Sequence, residues 1–252
     1  MQQLTIVTIT KDDLEGVSAN LRSTYALRTF DGVRQVVIDG SIEAISQKVQ
    51  QLAAEEHVEY VWQEPAGIAQ AFNLGISRVS DGFIWFLNGK DEIHPDLDIP
   101  LLLNLLNRSK SELLIFQLEF MSTGQVYSRP PLWSLWPPIF WIPHPATLIR
   151  RNLFDTYGCF NQSFDIAMDG ELWIRLLTND IEADMISMPI SLYDQNGISS
   201  TDPSKVLLEI DRVIKENFRL LFRIWLKQGL YLYQALRRSI VAKIAPPKGN
   251  KY

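Results

Sequence analysis

What this 252-residue chain lacks narrows its class before any motif is weighed. It has a single cysteine, Cys159, so no internal disulfide can form, and a reducing compartment with a buried thiol is expected. No uninterrupted apolar run reaches the roughly 20 residues that a bilayer-spanning helix needs. The opening MQQLTIVTITKDD has neither the basic flank nor the apolar length of a signal peptide, which predicts a cytoplasmic body. No G-x-G-x-x-G follows any strand-like run, so the pyrophosphate fingerprint of a nicotinamide-dependent oxidoreductase is missing. A Gly-rich phosphate loop ending in Lys-Ser/Thr is also missing, as is any zinc-type spacing of His and Cys. Positive charge is scarce over most of the chain. Residues 1–211 carry 14 Lys plus Arg against 28 Asp plus Glu, net −14, whereas residues 212–252 carry 10 against the single Glu216, net +9. An acidic body argues against nucleic acid as a partner, because such binding needs a basic face that displaces counterions.

What is present is enough for a core: 46% of the residues are hydrophobic, and the first hundred alternate between short apolar strands and amphipathic helices. LTIVTIT reads as a buried strand, and Asp12 or Asp13 offers a cap for a helix near 14 to 27. VRQVVIDG gives a second strand ending at Asp39-Gly40, followed by a helix to about Glu55, a strand at VEYVW, a helix at GIAQAFNLGISRV and a strand at FIWFL. Strand and helix alternating in this way predict parallel strands with right-handed crossovers. In such sheets ligands bind beyond the carboxyl ends of the strands. Thr8 to Thr10, Asp39-Gly40, Glu64 to Gly67 and Asn88 to Asp91 all fall just after strands and should gather along that edge.

The second half is less regular. A helix from Leu97 to Leu106 leads to a strand at ELLIFQLEF, a turn at Thr123-Gly124 and then a proline-laden apolar stretch. There Trp133, Trp136 and Trp141 suit a flap or platform, and equally ordinary packing under a loop. A short helix at NLFDTYG, a helix near DGELWIRLL and strand material at DMISMPISLYD follow. The expected division is a domain over 1–202 and a basic amphipathic helical tail over 203–252. In that tail Leu208, Val213, Phe218, Leu221, Trp225 and Leu230 share an apolar side, and Arg212, Lys215, Arg219, Arg223 and Lys227 lie beside it. Such a helix suits either an anionic bilayer surface or the acidic body.

Four segments taken together, TIVTIT, VVIDGS, EPAGIAQAFNLGI with SDGFIWFLNGKD, and PHPATLIRRNLFDTYGCFNQSFDIAMDGELWIRLL, carry a family resemblance. The chain resembles the inverting nucleotide-sugar glycosyltransferases of family 2, especially those that build polysaccharides. The resemblance covers roughly residues 1 to 200. It implies an α/β chain of GT-A type, with a Rossmann-like mixed central sheet and helices on both faces. It also implies a nucleoside diphosphate sugar as donor, UDP-linked by expectation, and a saccharide or lipid-linked acceptor. A location in the cytoplasm or on the inner face of the membrane follows from that chemistry.

The resemblance also assigns residues. Asp169 matches the catalytic carboxylate that takes the acceptor's proton, although an Asp at a helix start can equally be an N-cap. Asp91, aligned on the acidic motif, would hold a divalent cation, Mg²⁺ or Mn²⁺, that neutralises the leaving diphosphate. Here the family's two adjacent carboxylates are replaced by Lys90 then Asp91, which leaves a residual metal dependence as the expectation. Lys90 would either supply positive charge to the diphosphate or face solvent. Thr8, Asp39, Gly67, Asn73 and Asn88 match nucleotide-sugar-binding positions, and His144, Trp141 and Glu171 the acceptor side. Ala66 and Phe72 stand where many members have Asp and Arg. A noncatalytic member of the same fold, binding nucleotide sugar or a partner without transferring, is the alternative.

Overall fold

The structure, a computed structural model, describes residues 4–127, 142–179, 181–197, 202–217, 219 and 222. Trp133, Trp136 and Trp141, and the tail beyond 222, lie outside the described residues.

The centre of the sheet is β1 (Leu4–Thr10), whose seven residues are all buried. Helices cover both its faces, so the strand needs no polar alternation. Parallel partners flank it: β2 (Val33–Asp39) on one side and β4 (Phe83–Asn88) on the other, with β3 (Glu59–Trp62) outside β2. The crossovers are α1 (Leu14–Arg28), α2 (Glu43–Glu55) and α3 (Ile68–Ser77). Asp13 starts α1, its side chain accepting a bond from the Gly16 amide at 2.9 Å, which satisfies an otherwise unpaired first-turn N–H.

Beyond β4 the sheet becomes mixed. β5 (Glu92–Ile93), α4 (Ile99–Arg108), β6 (Leu113–Phe120) and β7 (Val126–Tyr127) come next in the chain. A 3₁₀ turn at His144–Ala146 runs straight into β8 (Thr147–Arg150) and α5 (Arg151–Tyr157). α6 (Met168–Leu177), β9 (Ala183–Tyr193) and α7 (Pro203–Glu216) complete the described elements. The spatial order is β3-β2-β1-β4-β8-β6-β9-β5, with β7 on β6. β8 is antiparallel to both β4 and β6, and β9 runs parallel to β6. The stretch PHPATLIRR, which reads as irregular because of its prolines, therefore supplies the strand that joins the two halves. The expected α/β sheet with helices on both faces is what is found.

Side-chain alternation along β4 divides the interior. Ile84 and Phe86 join Val7, Phe72, Phe160 and Trp173 under α3, α5 and α6, while Phe83, Trp85 and Leu87 join Leu102, Leu106 and Leu148 under α4. α3 lies so close to β1 that a Cβ on Gly75 would overlap Val7 Cγ1. α7 rests on the first of these clusters through buried Val213, with Ile210 and Ile214 beside it. Leu208, placed on the apolar side by sequence spacing, instead faces out with Leu207, at 70% and 67% exposure. Among the described residues no helix is long and apolar enough to cross a membrane.

Candidate active site

Two hollows adjoin beyond the carboxyl ends of β1, β2 and β4. The first, about 340 Å³, is bordered by Thr10, Lys11, Gly40, Gln63, Pro65, Gly67 and Asn88. The second, about 350 Å³, is bordered by Asn88, Phe120, Tyr127, His144, Asp169 and Tyr193. Ile68 and Asn88 line both, so the strand end at β4 is the step between them. Lys11 is the one ionised side chain on the described wall of the first hollow. The same wall includes Gly67, the N-cap residue of α3, whose φ of +103° suits glycine and which offers no side-chain cap. The uncapped amide end of a helix favours an anion.

The second hollow holds the candidate catalytic group. Asp169 is the second residue of α6, and the residue at the N-cap position is Ala167, so capping does not account for this carboxylate. Its Oδ1 accepts the Gly170 amide at 2.7 Å, and its Oδ2 lies 3.5 Å from Nδ1 of His144. On the other edge of the imidazole, Nε2 is 3.3 Å from the side-chain amide nitrogen of Asn88. If that amide donates to Nε2, the proton of the neutral ring sits on Nδ1, the edge nearer Asp169, where the 3.5 Å separation is a contact longer than a hydrogen bond. Asn88, His144 and Asp169 thus form one chain of contacts across the step.

The turn after β4 is locked from beneath. Asp91 is buried at 1% exposure; its Oδ2 accepts the Asn88 amide at 2.9 Å and its Oδ1 the Asp194 amide at 3.3 Å. Burial pushes its carboxyl up to about 6, with His144 and the two amides pulling the other way. A divalent cation needs carboxylate oxygens open towards it, usually with the remaining positions filled by water or phosphate. Each oxygen of Asp91 accepts one main-chain N–H and the residue is 1% exposed, so neither oxygen is open towards a hollow, and its neighbour Lys90 directs an ammonium to Asp13 at 3.6 Å. Among the described residues no group of three or more His, Cys, Asp or Glu is placed to hold a metal. Asp91, expected as a metal ligand, is placed beneath the turn that presents Asn88 and borders neither hollow.

Several other expected contacts become supports. Thr8 is fully buried; its hydroxyl donates to Asn20 Oδ1 at 3.1 Å and accepts from Gln35 Nε2 at 2.9 Å. Asn20 in turn donates to the Asp91 carbonyl at 2.6 Å, so Thr8 braces the turn from beneath and borders neither hollow. Asp39 is also fully buried, held by the Tyr60 hydroxyl at 2.9 Å and the Ser41 amide at 2.8 Å. Burial first, and the hydrogen bond to Asp39 with it, raises the Tyr60 phenol to about 12. Asn73 exchanges two bonds with the main chain of Phe160, at 2.8 and 2.9 Å, and so fixes the turn before α6. Glu171 is buried and paired with Arg175 at 2.7 and 2.8 Å, and that guanidinium also donates to the carbonyls of Tyr157, Gly158 and Cys159. It is a strut within α6 and borders neither hollow. Cys159 itself is exposed, against the expected buried thiol. Gly67, Asn88 and His144 do face the hollows, and Trp141 lies outside the described residues. Sequence reasoning missed Lys11, one residue past the flagged Thr8 to Thr10, and the aromatic wall of Phe120, Tyr127 and Tyr193, whose strand-end positions were the available signal.

The geometry can now be set beside known proteins. A family model described as Glycosyl transferase family 2 matches residues 9–169. An uncharacterized glycosyltransferase of Mycobacterium tuberculosis is 26% identical over 224 residues, covering 83% of this chain and 82% of that one. One of Rickettsia prowazekii is 22% identical over 162 residues, covering 59% and 50%. Among solved structures, S. aureus TarS superposes with a TM-score of 0.68 at 14% identity over 85% of this chain, which spans only 39% of TarS. TarS 1-349 in complex with UDP-GlcNAc gives 0.65 at 15% identity, covering 78% of this chain and 59% of that one. The mannosyltransferase PcManGT of Pyrobaculum calidifontis, in complex with GDP-Man and Mn²⁺, gives 0.65 at 13%, covering 97% and 76%. At these identities the structural likeness speaks for the fold.

Proposed function

From the premise that the chain belongs to glycosyl transferase family 2, we propose that it transfers a sugar, with inversion, from a nucleoside diphosphate sugar to a hydroxyl of a saccharide or lipid-linked acceptor. A UDP-linked donor is the first candidate, because UDP-GlcNAc is what TarS holds. The nucleotide occupies the first hollow, its diphosphate meeting Lys11 and the amino end of α3, and the sugar crosses the step at Asn88. The acceptor lies against Phe120, Tyr127 and Tyr193, aromatic faces of the kind on which sugar rings pack. Its hydroxyl attacks the anomeric carbon as the bond to the diphosphate oxygen breaks. The new C–O bond forms on the opposite face, and the hydroxyl proton passes to Asp169 Oδ2. His144 stands beside that oxygen with Nδ1 at 3.5 Å, and Asn88 contacts the other edge of the ring at 3.3 Å. No step is routed through a divalent cation; Asp91, 1% exposed and bordering neither hollow, would have to open towards one to hold it. Polysaccharide assembly and a peripheral place on the inner face of the membrane, reached through the basic tail, complete the reading; vesicle sedimentation with and without residues 212–252 tests the latter.

The observation that carries this reading is the single chain of contacts from Asn88 through His144 to Asp169, at 3.3 and 3.5 Å, spanning the boundary between the hollows. The test is a panel of nucleotide sugars assayed for nucleoside diphosphate release, with thermal shift reporting binding alone. Release with at least one donor is expected. Lys90 in place of a family carboxylate favours a second reading, a nucleotide-sugar binder that does not transfer; stabilisation by donors without any release would establish it instead.

A further inference from the structure

α6 carries Asp169 but does not cap itself: its N-cap residue, Ala167, offers no side-chain acceptor, and the first amides of a helix have no partner within it. The residues that lead into α6 are held instead from α7. Glu209 takes the Asp165 amide on Oε1 at 3.0 Å, and the Ile166 and Ala167 amides on Oε2 at 2.8 and 2.9 Å. Two more α7 side chains grip the same segment. Lys205 pairs with Asp165 at 2.6 Å, and Arg212 donates to the Ser163 carbonyl at 2.8 Å while stacking on Phe164 at 4.4 Å. Ile166, Met168 and Asp169 all line the second hollow, so what α7 holds is the floor beneath the candidate base.

We infer that Glu209 is a positioning residue for the transfer step: it ties down the turn that leads into α6 and thereby fixes where Asp169 stands relative to His144 and the acceptor. The inference rests on the proposed role of Asp169. A carboxylate that gathers three consecutive N–H groups supplies charge-assisted bonds and the negative charge that a helix amino end favours. Without it, those three N–H groups lose their shared acceptor, and the turn that leads into α6 is free to shift and carry Asp169 Oδ2 away from His144. The α7 helix is in this sense part of the catalytic unit, although it contributes no atom to either hollow.

The test compares the full-length wild type with Glu209→Ala and Glu209→Gln. Misplacement of a catalytic group by about 1 Å costs up to about a hundredfold, so Glu209→Ala should lower kcat by about tenfold or more and leave the Kd for UDP within about twofold. Glu209→Gln, whose carbonyl oxygen can still accept, should recover part of the rate. Hydrogen exchange should accelerate at the amides of 165–167 in Glu209→Ala and stay unchanged over 63–71, beside the nucleotide hollow. A kcat within about twofold of wild type, unchanged exchange at 165–167, or a parallel fall in UDP affinity would each overturn the inference. If the alanine variant fails to fold, the glutamine variant decides on the same criteria. Absence of release by the wild type with every donor would instead sink the proposed transfer reaction, and exchange at 165–167 would still decide whether Glu209 holds the segment.

Discussion

Replacing Asp91 by Asn should change how stability depends on pH, and in a direction opposite to that of most carboxylates. The ordinary carboxyl value is 3.8, and burial raises Asp91 to about 6. A group with a raised folded value adds stability that is fully present below its unfolded pKa and is lost as pH climbs through the folded one. One pKa unit corresponds to about 1.4 kcal/mol, so keeping Asp91 ionised costs about 3 kcal/mol above pH 7. The change between pH 4.5 and pH 7 is about 2 kcal/mol of that, concentrated on the approach to pH 6. The amide of Asp91→Asn does not titrate, and its lost acceptor for one main-chain N–H is a constant offset that cancels from the pH dependence. Urea unfolding of both proteins at intervals from pH 4.5 to 7.5 measures the difference directly. Wild type should lose about 2 kcal/mol relative to the variant as pH rises, and millimolar Mn²⁺ should leave the curve where it is. A difference that instead grows in favour of wild type would mean that the amide bonds outweigh burial. A shift of the curve with Mn²⁺ would mean that the carboxylate is open to a cation after all.

Lys11→Ala should weaken binding of UDP by about tenfold or more, the cost of one hydrogen bond to a charged group, and leave uridine binding unaltered; titration calorimetry at two salt concentrations checks both. Arg175→Ala should destabilise the fold by about 3 kcal/mol, since it strands the buried Glu171 carboxylate and releases three main-chain carbonyls, as measured by chemical denaturation. Gly75→Ala should cost about 1–3 kcal/mol through the clash with Val7, and the same denaturation assay would refute the close packing of α3 on β1 if the two proteins unfolded alike.

The parallel half of the sheet was legible because local signals agree there: β-branched runs, Asp caps and polar turns recur at the spacing that crossovers require. The start of α4 moved from Leu97 to Ile99 because Asp98 caps it, its side chain taking the Leu101 amide at 2.9 Å. The place of β8 between β4 and β6 depends on pairing across more than sixty residues with β4, from Phe83↔Arg150 to Trp85↔Leu148, and nothing local in PHPATLIRR announces it. The site was legible as an edge rather than as a set of side chains. Turns after strands pointed to the right rim, yet a residue type carried over by resemblance does not carry its partners. Asp39 is taken by Tyr60, Thr8 by Asn20 and Gln35, and Asn73 by the Phe160 main chain. Glu209 had no sequence signal at all, because an acceptor 42 residues from the amide it caps leaves no spacing to find.

The central claim, that Asp169 removes the acceptor's proton while the nucleotide is held elsewhere, is tested most directly by Asp169→Asn with donor affinity and transfer measured on the same preparation. The account predicts a Kd for the donor close to that of wild type and transfer reduced by about a hundredfold or more, the scale of lost general-base catalysis. Transfer at the wild-type rate, or loss of donor binding together with turnover, would contradict it.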